Sequence, residues 1–169
     1  MAAGSTPPAD RVGRVLYGIS ATWAAAGGVA LVLIACLTTA NAFMKKAIGA
    51  YIPGEYEIAE IGVAMVAFTF LPLAQLTRSY LIGDVFTQHA PPRLKAALDA
   101  AAGLAFALCA AVLTWRMGAG GLDIASTGER TPELHLRYWW PFAVAVPSLA
   151  LLGAACLHTA WSDWRKARS

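Results

Sequence analysis

The chain has 169 residues, of which 58% are hydrophobic and only 14% are charged, and its mean hydropathy is +0.56. A water-soluble domain of this length carries roughly 25% charged residues, so the composition favours a membrane protein of about one domain. The formal net charge of +3 is small and the basic residues do not cluster, which argues against a nucleic-acid-binding protein. Three cysteines provide no disulfide framework.

Four charge-poor segments are each long enough to cross a bilayer as a helix. A spanning helix needs about 20 mostly apolar residues, and its backbone groups must be paired internally. The sequence therefore predicts an all-α integral membrane protein with four transmembrane helices. We place a tail at 1–14, a membrane domain at 15–164 with spans at about 15–43, 58–77, 96–115 and 138–160, and a second tail at 165–169.

A cleaved signal peptide is the alternative to a retained first span. Ala40, Asn41 and Ala42 fit a small-residue cleavage pattern. The charge-free stretch before them is much longer than the roughly 7–15 apolar residues of a signal peptide, which favours a retained helix.

The Lys and Arg residues predict how the chain is oriented. Eight of the 13 lie in the two tails and in the connection between spans two and three, and five lie on the other side. Because short cytoplasmic loops are enriched in Lys and Arg, we expect both termini in the cytoplasm. Trp139 and Trp140 at the start of the last span, and Trp161 and Trp164 near its end, are typical of membrane interfaces.

The connection between spans two and three has an amphipathic pattern. Leu81, Ile82, Val85 and Phe86 share one helical face, and Gly83, Asp84 and Gln88 share the other. This pattern predicts a short cytoplasmic helix that lies among lipid headgroups or against a partner, with a solvated loop as the alternative.

The segment between spans three and four, 116–137, is rich in glycine. It contains Gly118, Gly120, Gly121 and Gly128. Glycine clusters are typical of turns and loops, so we expect an irregular external loop here.

Glu60 is the sharpest candidate for a functional side chain. An ionisable group inside a predicted span is costly and therefore suggests a function. Glu60 lies about one turn from the outer end of span two, in line with Glu57 three residues earlier. Three interpretations stay open: contact with a partner, a solvated helix end, or proton or cation coupling.

Small residues recur at helical spacing. Ala97, Ala101, Ala105 and Cys109 are each four residues apart, and Ala64 and Ala67 continue the face of Glu57 and Glu60. Such stripes allow helices to approach closely, so we expect them to form helix–helix contacts, with docking of another subunit as the alternative.

The sequence gives no sign of an enzyme, a metal centre or a cofactor of its own. His89 and His135 are predicted in connections, and His158 stands alone near a helix end. A haem anchor would need paired axial ligands within the spans, which argues against an electron-transfer role. No phosphate-binding loop or nucleophile elbow is present either.

The order of four short motifs is similar to a known family. Thr39-Ala40-Asn41 ends span one, and Pro53 to Glu60 open span two. Arg78 to Val85 give a basic residue, an apolar stretch, an Asp and a hydrophobe, and Gly128 to Leu134 precede a last helix that contains Pro147. From about Val15 to Trp164 the chain resembles the small, DctQ-like membrane subunit of tripartite ATP-independent periplasmic (TRAP) transporters. It departs from the family pattern at Gly83 and in the polar segment 135–137.

This resemblance implies an accessory subunit in a bacterial inner membrane. The large TRAP membrane subunit would carry transport and the sodium sites, and a periplasmic substrate-binding protein would capture a small organic acid. The small subunit would act as a scaffold. Its implied contacts with the partner or with phospholipid are Glu57, Glu60, Trp139 and Trp140 near the periplasmic face, and Arg78 and Asp84 in the inner segment.

The main alternative is a self-sufficient small secondary carrier. Glu60 would then be the coupling carboxylate, and the purified chain would transport without other subunits.

Overall fold

The computed structural model describes residues 10–77 and 92–168. Four helices make up most of this part: α1 (Arg11–Ile48), α2 (Glu55–Leu76), α3 (Pro92–Thr127) and α4 (Trp140–Arg168). An isolated antiparallel bridge joins Arg130 to Arg137, and no strand occurs within the described ranges. The predicted all-α class is confirmed, whereas the amphipathic segment around Asp84 lies outside the described residues.

All four helices contain a stretch that is long and apolar enough to cross a membrane. These stretches are Arg11–Ile48, Glu55–Leu76, Ala101–Thr127 and Trp140–Ser162. In the most apolar 18 residues of each stretch, only 17–28% of the residues are buried inside the protein. Large side chains such as Leu33, Leu108 and Leu157 are exposed. A soluble bundle would bury such residues, so these surfaces suit lipid or a membrane partner. The chain is therefore a multi-pass membrane protein.

α3 continues well beyond the point where the sequence indicated a loop. The helix extends to Thr127, so the prediction of an irregular loop over residues 116–127 is wrong. The reason is packing: a Cβ on Gly121 would lie 2.7 Å from the Cβ of Phe142, so glycine here allows α3 and α4 to approach closely. Gly128, with a φ of 69°, then ends the helix in the left-handed conformation.

The helices pack in the spatial order α1, α2, α4, α3. α2 lies between α1 and α4, and α3 makes its extensive contacts with α4. α1 touches α4 only slightly, through contacts that include a hydrogen bond of 2.8 Å from the Trp23 indole N–H to the Ser148 hydroxyl. The arrangement is therefore an open row, and α1 and α3 form its two edges.

The α3–α4 contact follows a seam of small residues. Gly103, Ala107, Ala110 and Gly121 of α3 are buried, and Thr114 and Met117 between them are half-buried. Their spacing alternates between four and three residues, which keeps the seam on one side of a helix. The predicted packing stripe is wrong in this helix, because Ala101, Ala105 and Cys109 are exposed. A repeat of four rotates steadily around a helix of 3.6 residues per turn and leaves the seam.

α1 and α2 also approach closely through glycine. A Cβ on Gly27 would collide with the Thr69 hydroxyl, and one on Gly62 would lie 2.5 Å from Ile34 Cδ1. Thr69 is buried and donates its hydroxyl proton to the Val66 carbonyl at 2.7 Å. This internal bond satisfies a polar group that lipid could not, so Thr69 can lie in the contact between the helices.

Candidate functional site

The turn between α1 and α2 is fixed by one amide side chain. The Ile52 N–H donates to Asn41 Oδ1 at 2.7 Å, and Asn41 Nδ2 donates to Glu55 Oε2 at 3.0 Å. Asn41 therefore joins the last turns of α1 to the first residue of α2. Gly49, with a φ of 69°, ends α1 in the left-handed conformation and lets the chain reverse.

Glu57 extends this network to the connection before α4. Its Oε1 accepts a hydrogen bond from the Glu133 N–H at 2.8 Å, and its Oε2 accepts one from the Leu134 N–H at 3.0 Å. A carboxylate that accepts two neighbouring backbone N–H groups holds them in a fixed orientation, and such charge-assisted bonds are stronger than neutral ones. Glu57 thus ties the first turn of α2 to a segment 76 residues further along the chain.

A reciprocal contact runs in the opposite direction. The Gly54 N–H donates to the carboxylate of Glu133. Gly54 has a φ of 73°, and a Cβ there would overlap the side chain of Leu134. Position 54 therefore requires glycine for two separate reasons, its backbone conformation and the proximity of Leu134.

The connection of residues 128–139 has its own internal support. Thr131 is only 2% exposed; its N–H donates to the Leu136 carbonyl at 2.8 Å, and its hydroxyl accepts from the Leu136 N–H at 3.0 Å. The Tyr138 N–H donates to the Glu129 carbonyl at 3.2 Å. These bonds shape residues 130–137 into a short hairpin-like loop, with Glu133 and Leu134 at its tip.

Together these contacts form one polar cluster, which we call the clasp: Asn41, Gly54, Glu55, Glu57, Glu133 and Leu134. The clasp joins residues 49–54 and 128–139, and we call this end of the protein the loop end. Its carboxylates bind groups of the protein itself. Among the described residues, no group of three or more His, Cys, Asp or Glu side chains is arranged to hold a metal ion. The clasp therefore fixes the shape of the surface at the loop end.

The comparisons with known proteins agree with this architecture. Residues 34–166 match the family model described as "Tripartite ATP-independent periplasmic transporters, DctQ component". The chain belongs to this family. Comparisons with curated proteins and with solved structures give no match. Membership makes the chain a small TRAP transporter component, and it implies two kinds of partner, a large membrane protein and a periplasmic binding protein.

The predicted site residues of this DctQ-family chain fall into different surroundings. Glu57 is part of the clasp, whereas Glu60, one turn further along α2, is exposed. Trp139 is half-buried, and its carbonyl accepts from the N–H groups of Phe142 and Ala143 at the start of α4. Trp140 is 50% exposed. Arg78 and Asp84 lie outside the described residues.

Of the clasp residues, the sequence predicts a role only for Glu57. Asn41, Gly54, Glu55, Glu133 and Leu134 all occur in the motifs that carry the family resemblance, but the sequence does not predict which of them pair across the chain. Gly54 gives a usable signal, because glycine after proline is typical of a turn in which the glycine has a positive φ. The contact between Glu133 and Gly54 depends on the packing of α2 against α4, which local patterns do not encode.

One face of α2 is uncovered along much of its length. Gly62, Val66, Thr69 and Pro72 lie on the side that contacts the other helices. The opposite side carries an exposed set that we call the open face of α2: Tyr56, Glu60, Val63, Ala64 and Ala67.

Proposed function

We propose that the chain is a small accessory and scaffold subunit of a TRAP transporter. In this proposal it supports the large transport subunit in sodium-coupled uptake of a small organic acid, which a periplasmic binding protein captures. Family membership supports the assignment to such a transporter. The chain itself would need no cofactor, and its partners would be the large subunit, the binding protein and phospholipid.

The clasp is the observation that carries the scaffold role. The carboxylates of Glu55, Glu57 and Glu133 are each bonded within the protein. A transport site needs polar groups that are available to an ion or a substrate, usually near the middle of the membrane. A scaffold needs a fixed surface instead, and the clasp supplies one at the loop end.

We also propose that both termini lie in the cytoplasm and that the loop end lies in the periplasm. The excess of Lys and Arg in the tails and in the connection between α2 and α3 supports this orientation. Single cysteines introduced at Arg130 and at Arg11, in a chain lacking its three native cysteines, test this. An impermeant thiol reagent added outside spheroplasts should label position 130 and leave position 11 unlabelled; the reverse pattern would overturn the orientation.

The interface residues remain part of this proposal. Glu57, Glu60, Trp139 and Trp140 are proposed near the partner or phospholipid at the loop end, and Arg78 and Asp84 in the inner segment. The half-exposed Trp140 supports such a place, because an indole is favoured where apolar and wet surroundings meet.

Affinity purification in a mild detergent tests the function directly. The tagged chain, recovered from its native membranes, should bring down a larger polytopic protein in roughly equal amount, identified by mass spectrometry. A tagged, unrelated four-helix protein from the same membranes is the control. Recovery of a homo-oligomer alone would contradict the scaffold role and favour the self-sufficient carrier. In that case vesicles containing only the chain should transport, and Glu60→Gln should stop transport.

A further inference from the structure

Glu60 differs from the other two carboxylates of α2 in what it contacts. Glu55 bonds to Asn41, and Glu57 bonds to the backbone of Glu133 and Leu134. Glu60 is exposed, and its carboxylate makes no hydrogen bond or ion pair with residues 10–77 and 92–168. The described protein therefore satisfies two of the three carboxylates and leaves Glu60 available.

Glu60 also lies within the apolar length of its helix. α2 has 22 residues, which at about 1.5 Å per residue is close to the ~30 Å of hydrocarbon that a span must cross. Glu60 is the sixth residue of α2, so it lies roughly 7 Å below the start of the helix. An ionised carboxylate at this depth is stabilised by an opposite charge or a hydrogen-bond donor, which lipid tails do not provide.

The surface next to Glu60 suits the close approach of a helix. Ala64 and Ala67 continue the open face of α2 below the carboxylate, and both are exposed. Small side chains let two helix backbones approach within van der Waals contact, which is the main source of attraction between helices in a membrane. The open face of α2 therefore combines the carboxylate of Glu60, which has no partner among the described residues, with the small side chains of Ala64 and Ala67.

A second open surface, between α3 and α4, lacks this combination. An apolar groove of about 1070 Å³ runs between α3 and α4, with Leu104, Leu108, Trp115 and Leu157 among its walls. None of the described residues that line the groove is charged, so its composition suits lipid tails as well as a helix. Charge distinguishes the open face of α2 from the groove.

We propose that the open face of α2 docks a transmembrane helix of the large subunit, and that this helix presents a Lys or Arg side chain to Glu60. The proposal rests on the proposed function, because it takes the large subunit as the partner. Ala64 and Ala67 supply the close contact, and the ion pair fixes the depth of one helix relative to the other.

The first test is recovery of the large subunit from native membranes with variants of the tagged chain. Glu60→Gln should weaken association about tenfold, the order expected for one charge-assisted hydrogen bond, and Glu60→Lys should abolish it. Ala64→Leu should also reduce recovery. Two matched controls, Ala102→Leu on the exposed side of α3 and Ala111→Leu in the groove, should leave recovery unchanged. Monodisperse elution and an unchanged helical circular dichroism spectrum show that each variant is folded.

A second test maps the contact without disturbing the charge. The photoreactive residue p-benzoylphenylalanine, placed at position 64, should crosslink to the large subunit on illumination, whereas at position 111 it should not. Crosslinks from position 111 alone, together with normal recovery of Glu60→Lys and Ala64→Leu, would overturn the docking face and leave the scaffold function intact. Crosslinks between two copies of the chain, or to lipid alone, would also overturn it. Failure of the unmodified chain to recover any large subunit would instead contradict the proposed function.

Discussion

The carboxylate of Glu57 accepts a hydrogen bond from the backbone N–H of Glu133, whereas the carboxylate of Glu133 accepts one from the backbone N–H of Gly54. This crossed arrangement uses both carboxylates to hold backbone. The two connections at the loop end are therefore fixed to each other, although one follows α1 and the other follows α3.

Removing the Glu57 carboxylate should loosen the connection before α4. In Glu57→Ala, the N–H groups of Glu133 and Leu134 lose their acceptor, and their amide hydrogens should exchange about tenfold faster in detergent. Hydrogen–deuterium exchange with mass spectrometry over residues 128–139 measures this. Glu60→Gln, one turn further along the same helix, is the control and should leave exchange unchanged. Equal exchange in Glu57→Ala and the unmodified chain would show that the clasp does not order the loop.

Position 54 should tolerate no side chain. Gly54→Ala combines a strained φ with overlap against Leu134, and it should lower stability by about 1–3 kcal/mol. The change is read as a lower thermal midpoint in detergent. Adding Leu134→Ala should restore part of the loss, because it removes the overlap but leaves the strain. Gly118→Ala, in a helical position with open space around it, should be neutral or stabilising by up to about 1 kcal/mol.

The α1–α2 contact should depend on Gly27. Gly27→Ala drives a methyl group into the Thr69 hydroxyl, and overpacking of this kind costs about 1–3 kcal/mol. Thr69→Ala in the same chain should recover part of the stability. Gly18→Ala in the same helix meets no atom of the described residues within 4 Å and serves as the matched control. If both glycine variants had the same thermal midpoint, the close approach at Gly27 would be refuted.

The hydrogen bond between Trp23 and Ser148 should couple α1 to α4. Trp23→Phe removes the indole donor, and Ser148→Ala removes the acceptor. Hydrogen bonds between membrane helices contribute about 0.6 kcal/mol on average, so a double-mutant cycle should give a coupling energy of about 0.5–1.5 kcal/mol. Additive effects of the two substitutions on the free energy of unfolding would mean that the bond contributes nothing.

The sequence was most informative about the membrane helices and least informative about contacts between them. Charge-poor segments identify the four helices, because every segment that crosses lipid must be apolar and must pair its backbone groups internally. The sequence does not predict the extent of α3, because glycine is locally typical of a loop, whereas Gly121 allows Phe142 to pack against the helix. The four-residue spacing of Ala101 and Ala105 predicts helix packing, yet the buried seam follows Gly103 and Ala107. Both errors have one cause: small residues allow close contact on any face, and only the neighbouring helix determines which face is used.

The contacts within the clasp could not be predicted from the sequence for a related reason. The sequence predicts Glu57 as a contact with a partner or with phospholipid, but its role as an acceptor depends on a loop 76 residues away. Such a contact forms only after α2 and α4 have packed together. The family motifs include the residues of the clasp, but the order of the motifs along the chain does not show which of these residues are in contact.

The seam between α3 and α4 has a consequence for how the chain is assembled during synthesis. α1 and α2 are neighbours in sequence and in space, so they can pair as soon as both have entered the membrane. α3 packs chiefly against α4, which is synthesised after it. Until α4 enters the membrane, the glycines and alanines of the α3 seam are not covered by this helix. When α4 arrives, it meets α2 on one side and α3 on the other and completes the clasp. The last helix to be translated is thus the one that joins two separate parts into a single protein.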